Sequence, residues 1–129
     1  MKKVLLIDDD PLITAVYEKH FRADGFEVRT ANTGKEGLHA VRDFLPNAVL
    51  LDLNMPDVNG VLWLAEIRGD VRFARLPVVV FTAGTIGSQV WEANESDVNF
   101  VFKEGAVPRD IVRAVNAAIT AGSSKVAER

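Results

Sequence analysis

Two hydrophobic rhythms alternate along this chain. Uninterrupted apolar runs fall at 4–7 (VLLI), 48–51 (AVLL) and 77–82 (PVVVFT). Runs of this length are too short for helices and fit strands buried on both faces. Two further stretches also read as strands. In 26–31, Phe26 and Val28 alternate with Glu27 and Arg29, a half-exposed pattern suited to a sheet edge, and 98–102 is VNFVF. The predicted strands are therefore β1 (4–7), β2 (26–31), β3 (48–52), β4 (77–82) and β5 (98–102).

Between the strands, apolar residues recur at helical spacing. Helix α1 starts at Asp10-Pro11, a capping carboxylate followed by proline at the first helical position. Its apolar face is Leu12, Ile13, Val16, Tyr17, His20 and Phe21, and Ala23-Asp24-Gly25 stops it. Helix α2 opens on the capping box Thr33-Gly34-Lys35-Glu36, carries Leu38, Val41, Phe44 and Leu45, and ends at Pro46. Behind Asp52 the loop LNMPDVNG is built from turn residues, Asn54, Pro56, Asp57, Asn59 and Gly60. Helix α3 spans about 60–68 with Val61, Leu62, Leu64, Ala65 and Ile67, and 69–75 reads as a polar loop. Helix α4 is written weakly over 88–95. Helix α5 opens at Pro108 and carries Ile111, Val112, Val115, Ala118 and Ile119; Gly122-Ser123-Ser124 begins a polar tail.

Five strand–helix repeats make a parallel sheet covered on both faces, with right-handed crossovers. The uniformly apolar β1, β3 and β4 belong in the centre, with β2 and β5 toward the edges. That agrees with a three-layer α/β sandwich of flavodoxin-like strand order 2-1-3-4-5, an order known for such folds and not deduced from spacing alone. At 129 residues there is room for one core, and the expected division is a domain over 1–121 and a tail or linker start over 122–129.

Composition narrows the function. The net charge is −3 with Lys and Arg scattered, so the domain has no electrostatic footprint for nucleic acid. Without cysteine, disulfides and thiolate metal sites are excluded. The apolar run at the N-terminus is too short for a signal peptide or a membrane span, and a cytoplasmic location is expected.

The chemistry collects where the strands end. Asp8 and Asp9 follow β1, Asp52 ends β3, Thr82 ends β4, and Lys103 follows β5. In an open parallel sheet these positions face one crevice. Taken singly, each has a plain structural use, and Asp10 is read as a helix cap. Together they bring three carboxylates, a hydroxyl and an ammonium to one place. Carboxylates about 5 Å apart repel by roughly 3 kcal/mol at an effective dielectric of about 20, which favours a bound proton or cation. Oxygen donors suit Mg²⁺ or Mn²⁺ better than zinc. An ionised Asp52 beside a divalent ion and Lys103 is equipped to accept a phosphoryl group, with Thr82 donating a hydrogen bond to its oxygens. His20 and His39 lie away from this end and are read as structural or surface. Trp63 and Trp91 are read as packing or partner contacts.

In order along the chain, VLLIDDDP, AVLLDLNMPDVNG, VVVFTAG and VNFVFK resemble the receiver domain of two-component response regulators, the family of the chemotaxis response regulator, over roughly residues 2–120. The resemblance implies that Asp52 is phosphorylated by a histidine kinase or histidine phosphotransfer protein. It implies Mg²⁺ bound by Asp9 directly, by Asp8 through water, by Asp52 and by the backbone carbonyl of Asn54. Thr82, the amide of Ala83 and Lys103 would bind the phosphoryl oxygens. Phe100 matches the aromatic that follows the Thr82 movement and re-biases the α4-β5-α5 face, which a downstream protein reads. The domain would be a switch and not an enzyme, limited to phosphorylating itself from a donor and dephosphorylating itself.

The chain departs from the family pattern after Lys103, where Glu104 replaces the usual proline, and before the aromatic, where Glu95-Ser96-Asp97 replaces the usual Gly-Ala. Those departures sustain an alternative, a pseudo-receiver that binds a partner without phosphorylation. An aspartate-nucleophile phosphatase fits poorly, because such enzymes want an Asp-x-Asp followed by threonine and a cap. A flavodoxin-type carrier of FMN fits no better, because Asp8-Asp9-Asp10 would repel its phosphate. No effector domain follows α5 in this sequence, which fits either a protein that works alone by docking or a receiver cut from a longer regulator or hybrid kinase.

Overall fold

A computed structural model describes the backbone of residues 1–82, 99–102 and 107–127, and the side chains of 1–81 and 107–121. The strands are Lys3–Ile7 (β1), Glu27–Ala31 (β2), Ala48–Leu51 (β3), Val78–Thr82 (β4) and Asn99–Phe102 (β5), all parallel in the order β2-β1-β3-β4-β5. The helices are Pro11–Ala23 (α1), Gly34–Phe44 (α2), Gly60–Arg68 (α3) and Pro108–Ala127 (α5). The expected α4 lies outside the described residues. This is the flavodoxin-like sandwich that the strand–helix alternation called for.

The uniform apolarity of the central strands has a simple cause. Side chains alternate between two covered faces. Leu5, Ile7, Val49, Leu51, Val78 and Val80 pack on one side with Val41, Phe44, Trp63, Leu64 and Ile67 of α2 and α3. Val4, Leu6, Leu50, Val79 and Phe81 pack on the other with Tyr17 and Phe21 of α1 and Ile111, Val112 and Val115 of α5. Tyr17 meets Phe81 edge to face, with ring centroids 5.1 Å apart.

Helix termini follow their sequence signals. Asp10 caps α1 by accepting from the Leu12 amide at 2.9 Å. Thr33 Oγ1 accepts from the Glu36 amide at 3.1 Å, and Glu36 reaches back to the Asn32 amide at 3.1 Å, one residue before the usual capping-box partner.

Several buried faces differ from the expected ones. In α1 the buried stripe is Thr14, Tyr17 and Phe21, while Leu12 is 71% and Val16 42% exposed and His20 faces solvent. Thr14 tolerates burial because its hydroxyl donates to the Pro11 carbonyl at 3.1 Å and accepts from Asn32 Nδ2 at 3.3 Å. Leu45 is exposed: Pro46 disfavours the right-handed helical conformation at Leu45, which takes φ 52° instead and turns out of the stripe. In α3, Trp63 is buried, and Leu62 and Ala65 face solvent. The 69–75 loop contains a 3-10 turn, Val71–Phe73, which buries Phe73. Helical backbone also runs through Gly122-Ser123-Ser124 to Ala127, beyond the point where the polar run was expected to end α5.

Gly60 is a position where a side chain has no room. Its amide donates to the Leu53 carbonyl at 3.0 Å, and an added Cβ would lie 2.6 Å from Leu53 Cα and 3.0 Å from the Asp52 carbonyl oxygen. These are backbone atoms that cannot swing aside. Gly60→Ala is expected to destabilise the fold by roughly 1–3 kcal/mol, the usual cost of overpacking. Urea denaturation should show a lower midpoint at unchanged slope.

Candidate metal centre

Parallel pairing carries Asp8 and Asp52 to the same edge. β1 and β3 pair with Ile7 opposite Leu51, so the next residues on the two strands are these two carboxylates. The ladder continues past the strands: the Asp52 amide donates to the Ile7 carbonyl at 2.9 Å and the Asp8 amide to the Ala31 carbonyl at 3.1 Å. Backbone hydrogen bonds therefore set where both side chains start. Asp8 is 5% and Asp52 3% exposed, and Asp9 stands out toward solvent. One carboxylate oxygen from each of Asp8, Asp9 and Asp52 lies within 4.8 Å of the other two.

Short local bonds orient these groups. Asp8 Oδ1 accepts from the Asp10 amide at 3.0 Å, and Asp52 Oδ1 accepts from the Asn54 amide at 3.1 Å. Both are aspartate-to-backbone turns of the kind this side chain favours. Asn32 Nδ2 donates to the Asp8 carbonyl at 2.9 Å, which ties the β1–α1 loop to the end of β2. On the other side, Asn59 Oδ1 accepts from the Val61 amide at 2.7 Å, capping α3. Asp57 bridges farther. Its Oδ1 accepts from the Gly34 amide at 2.9 Å and its Oδ2 from the Lys35 amide at 3.0 Å. Those bonds, that to Gly34 first, hold the Asp57 carboxyl below the ordinary aspartate range.

Three carboxylates at this separation repel one another by roughly 3 kcal/mol per pair at an effective dielectric near 20. A divalent cation relieves that repulsion, and an all-oxygen donor set selects a hard ion. The cluster could hold a metal ion of that class.

The structure thus brings Asp8, Asp9 and Asp52 together, with Asn54 beside Asp52. Thr82 is the last residue of β4, paired with Phe102, and Phe100 pairs with Val80; for both Thr82 and Phe100 the backbone alone is described. Ala83, Trp91 and Lys103 lie outside the described residues. His20 and His39 are exposed on α1 and α2. Trp63 is a packing residue whose Nε1 donates to the Gly34 carbonyl at 3.1 Å. Sequence reasoning passed over Asn32 and saw in Asp57 a turn residue. A carboxylate that bonds amides more than twenty positions away leaves no local pattern to read.

The profile of the response regulator receiver domain matches residues 4–116. The DNA-binding response regulator MtrA of Mycolicibacterium smegmatis is 30% identical over 127 residues, covering 98% of this chain and 54% of that protein. The transcriptional regulatory protein KdpE of Mycobacterium tuberculosis is 37% identical over 93 residues, covering 72% of this chain and 40% of that protein. The chain thus spans about half or less of the length of these relatives. Among solved structures, a CheY-like receiver domain protein from Methanospirillum hungatei superposes with a TM-score of 0.88 at 22% identity, covering 97% of this chain and 98% of that one. The chemotaxis protein CheY4 of Vibrio cholerae gives 0.84 at 23% identity, covering 92% and 98%. At these identities the two structures establish the fold.

The Asp57 bonds have a pH signature. A carboxyl whose folded pKa is depressed contributes stability above its unfolded value, near 4, and that stability is lost as pH falls through the folded value. Asp57→Asn is therefore expected to lose less stability than the parent between pH 5 and pH 2. Urea midpoints of both proteins across that range measure the difference.

Proposed function

The chain belongs to the response regulator receiver domain family, and from that premise we propose that Asp52 is the phosphoacceptor through which it carries a signal. The observation that supports this most directly is the buried Asp52 carboxylate within 4.8 Å of those of Asp8 and Asp9 at the ends of adjacent parallel strands. A histidine kinase or histidine phosphotransfer protein would present a phosphohistidine. A carboxylate oxygen of Asp52 attacks phosphorus, the new oxygen–phosphorus bond forms as the phosphorus–nitrogen bond breaks, and the imidazole leaves neutral with a proton from solvent.

Asp8, Asp9, Asp52 and the Asn54 carbonyl would hold Mg²⁺, or Mn²⁺ with the same donors, and the bound ion would neutralise charge on the transferred oxygens. The protein's own part is placement. The Asp10 and Asn54 amides each hold one oxygen of Asp8 and Asp52, which limits the rotation of both carboxylates. Thr82, the Ala83 amide and Lys103 are assigned to the phosphoryl oxygens. Their support is positional: β4 lies beside β3, and Lys103 directly follows Phe102, the partner of Thr82 in the ladder.

Phosphorylation adds close to two negative charges and three acceptor oxygens. Drawn toward them, Thr82 moves, Phe100 follows, and the α4-β5-α5 face changes its bias between two arrangements for a protein partner. Residues 1–121 are assigned to the switch, and 122–129, whose backbone stays helical to Ala127, to a C-terminal tail or the start of a linker. Among the described residues no helix is long and apolar enough to cross a membrane, and the proposed site of action is the cytoplasm. The domain is a switch whose own chemistry goes no further than taking up and losing its phosphoryl group.

Incubation with Mg²⁺ and acetyl phosphate followed by intact-mass measurement tests the assignment. The parent is expected to gain one phosphoryl group, and neither Asp52→Asn nor the parent with chelator should gain any. An unmodified parent under conditions where calorimetry shows Mg²⁺ bound would replace this reading with a phosphorylation-independent docking module. Asp9→Asn should weaken Mg²⁺ binding by roughly 10-fold or more, in the range seen when one metal-supporting group is removed.

A further inference from the structure

The first turn of α2 and Asn32, just before its Thr33 cap, are between them joined to both loops that carry the candidate ligands. On one side, Asn32 holds the Asp8 carbonyl at 2.9 Å. On the other, both Asp57 oxygens hold amides of that turn, Gly34 at 2.9 Å and Lys35 at 3.0 Å. The contact is also steric. A Cβ on Gly34 would lie 2.6 Å from Val58 Cβ, so the loop after β3 sits directly against this glycine. The Gly34 carbonyl in turn accepts from Trp63 Nε1 at 3.1 Å, which adds α3 to the same point.

Leu53 and Met55 seat the base of the loop from Leu53 to Asn59 in the core, and the Asp57 bonds hold the crest beyond them. Asn54, Pro56 and Asp57 are exposed, and the loop's described backbone–backbone bond joins Gly60 to Leu53 at its base. Asn54 stands three positions before Asp57. We propose that Asp57 is a positioning residue for the metal centre. By clamping the β3–α3 loop to the first turn of α2, it fixes the Asn54 backbone, and with it the carbonyl oxygen, beside Asp52 before the cation arrives. This rests on the reading of Asp8, Asp9, Asp52 and the Asn54 carbonyl as the Mg²⁺ site. Without the clamp the loop samples more conformations, and ordering it is charged against cation binding.

The test compares parent, Asp57→Ala and Asp57→Asn in 0.5 M KCl, where the field of an exposed charge is largely screened. Mg²⁺ affinity is measured by calorimetry, and the initial rate of phosphoryl gain from acetyl phosphate is measured at saturating Mg²⁺. Asp57→Ala is expected to weaken Mg²⁺ binding roughly 10-fold, the lower end of what losing a ligand-orienting group costs. Its saturated rate should stay within about twofold of the parent, because the reacting groups are untouched. Asp57→Asn keeps one carbonyl acceptor and should fall between. Affinity within about twofold of the parent in Asp57→Ala overturns the positioning role and leaves the metal site standing. So does a joint fall of affinity and saturated rate accompanied by loss of cooperative urea unfolding, which would mark a merely structural residue. A parent that binds no Mg²⁺ overturns the metal reading and the clamp with it.

Discussion

Pairing of β1 with β3 in the register that sets Ile7 opposite Leu51 forces two buried carboxylates to leave the sheet side by side. A slip of one residue would turn every side chain of the strand to the other face. Here such a slip would exchange Leu5 and Ile7, which meet α2 and α3, with Val4 and Leu6, which meet α1 and α5. Both faces are filled, so the register is held by packing along the whole strand. The charged centre at its end takes its geometry from that apolar ladder.

Holding like charges this close works against the fold, and the molecule confines that cost. Asp8 and Asp52 each accept from a backbone amide two residues on, which compensates part of their burial. The backbone ladder runs one residue beyond β1 and β3, so Asp8 and Asp52 are held by its last rungs while their carboxylates stand at the edge of the sheet. Around that edge, the start of α2 and the residue before its cap act as a common anchor: Asn32, Gly34 and Lys35 between them bond the loops after β1 and β3, and Gly34 also meets α3. A glycine serves there because the Val58 side chain occupies the place of a Cβ.

Helix α1 illustrates how far packing can override hydrophobic pattern. Its apolar count favours Leu12 and Val16 as inward residues, yet both are exposed and Thr14 is buried. The polar residue wins because its hydroxyl has two partners at that depth, the Pro11 carbonyl and Asn32. Asn32 comes from the neighbouring strand end and also holds the Asp8 carbonyl. The rotation of α1 on the sheet and the placement of the acidic loop are thus linked through one side chain.

Much of this molecule is legible in the chain itself. Short apolar runs alternating with helical periodicity point to a parallel sheet with both faces covered, because helices on both sides of such a sheet bury runs that are apolar on both faces. Asp8, Asp9 and Asp52 are legible as a group because each directly follows an apolar run, and parallel topology sends all such ends to one side. Local capping was equally readable at Asp10 and Thr33, since donor and acceptor are two or three residues apart. Tertiary structure alone decided which residues of α1 and α3 face inward, since rotation of a helix by one position depends on what it meets. It also decided that Asp57, a turn residue by sequence, is the group that bonds α2 across a separation of more than twenty residues. A hydrogen bond of that span is set by where two loops come to rest, and nothing in the residues flanking either end encodes it.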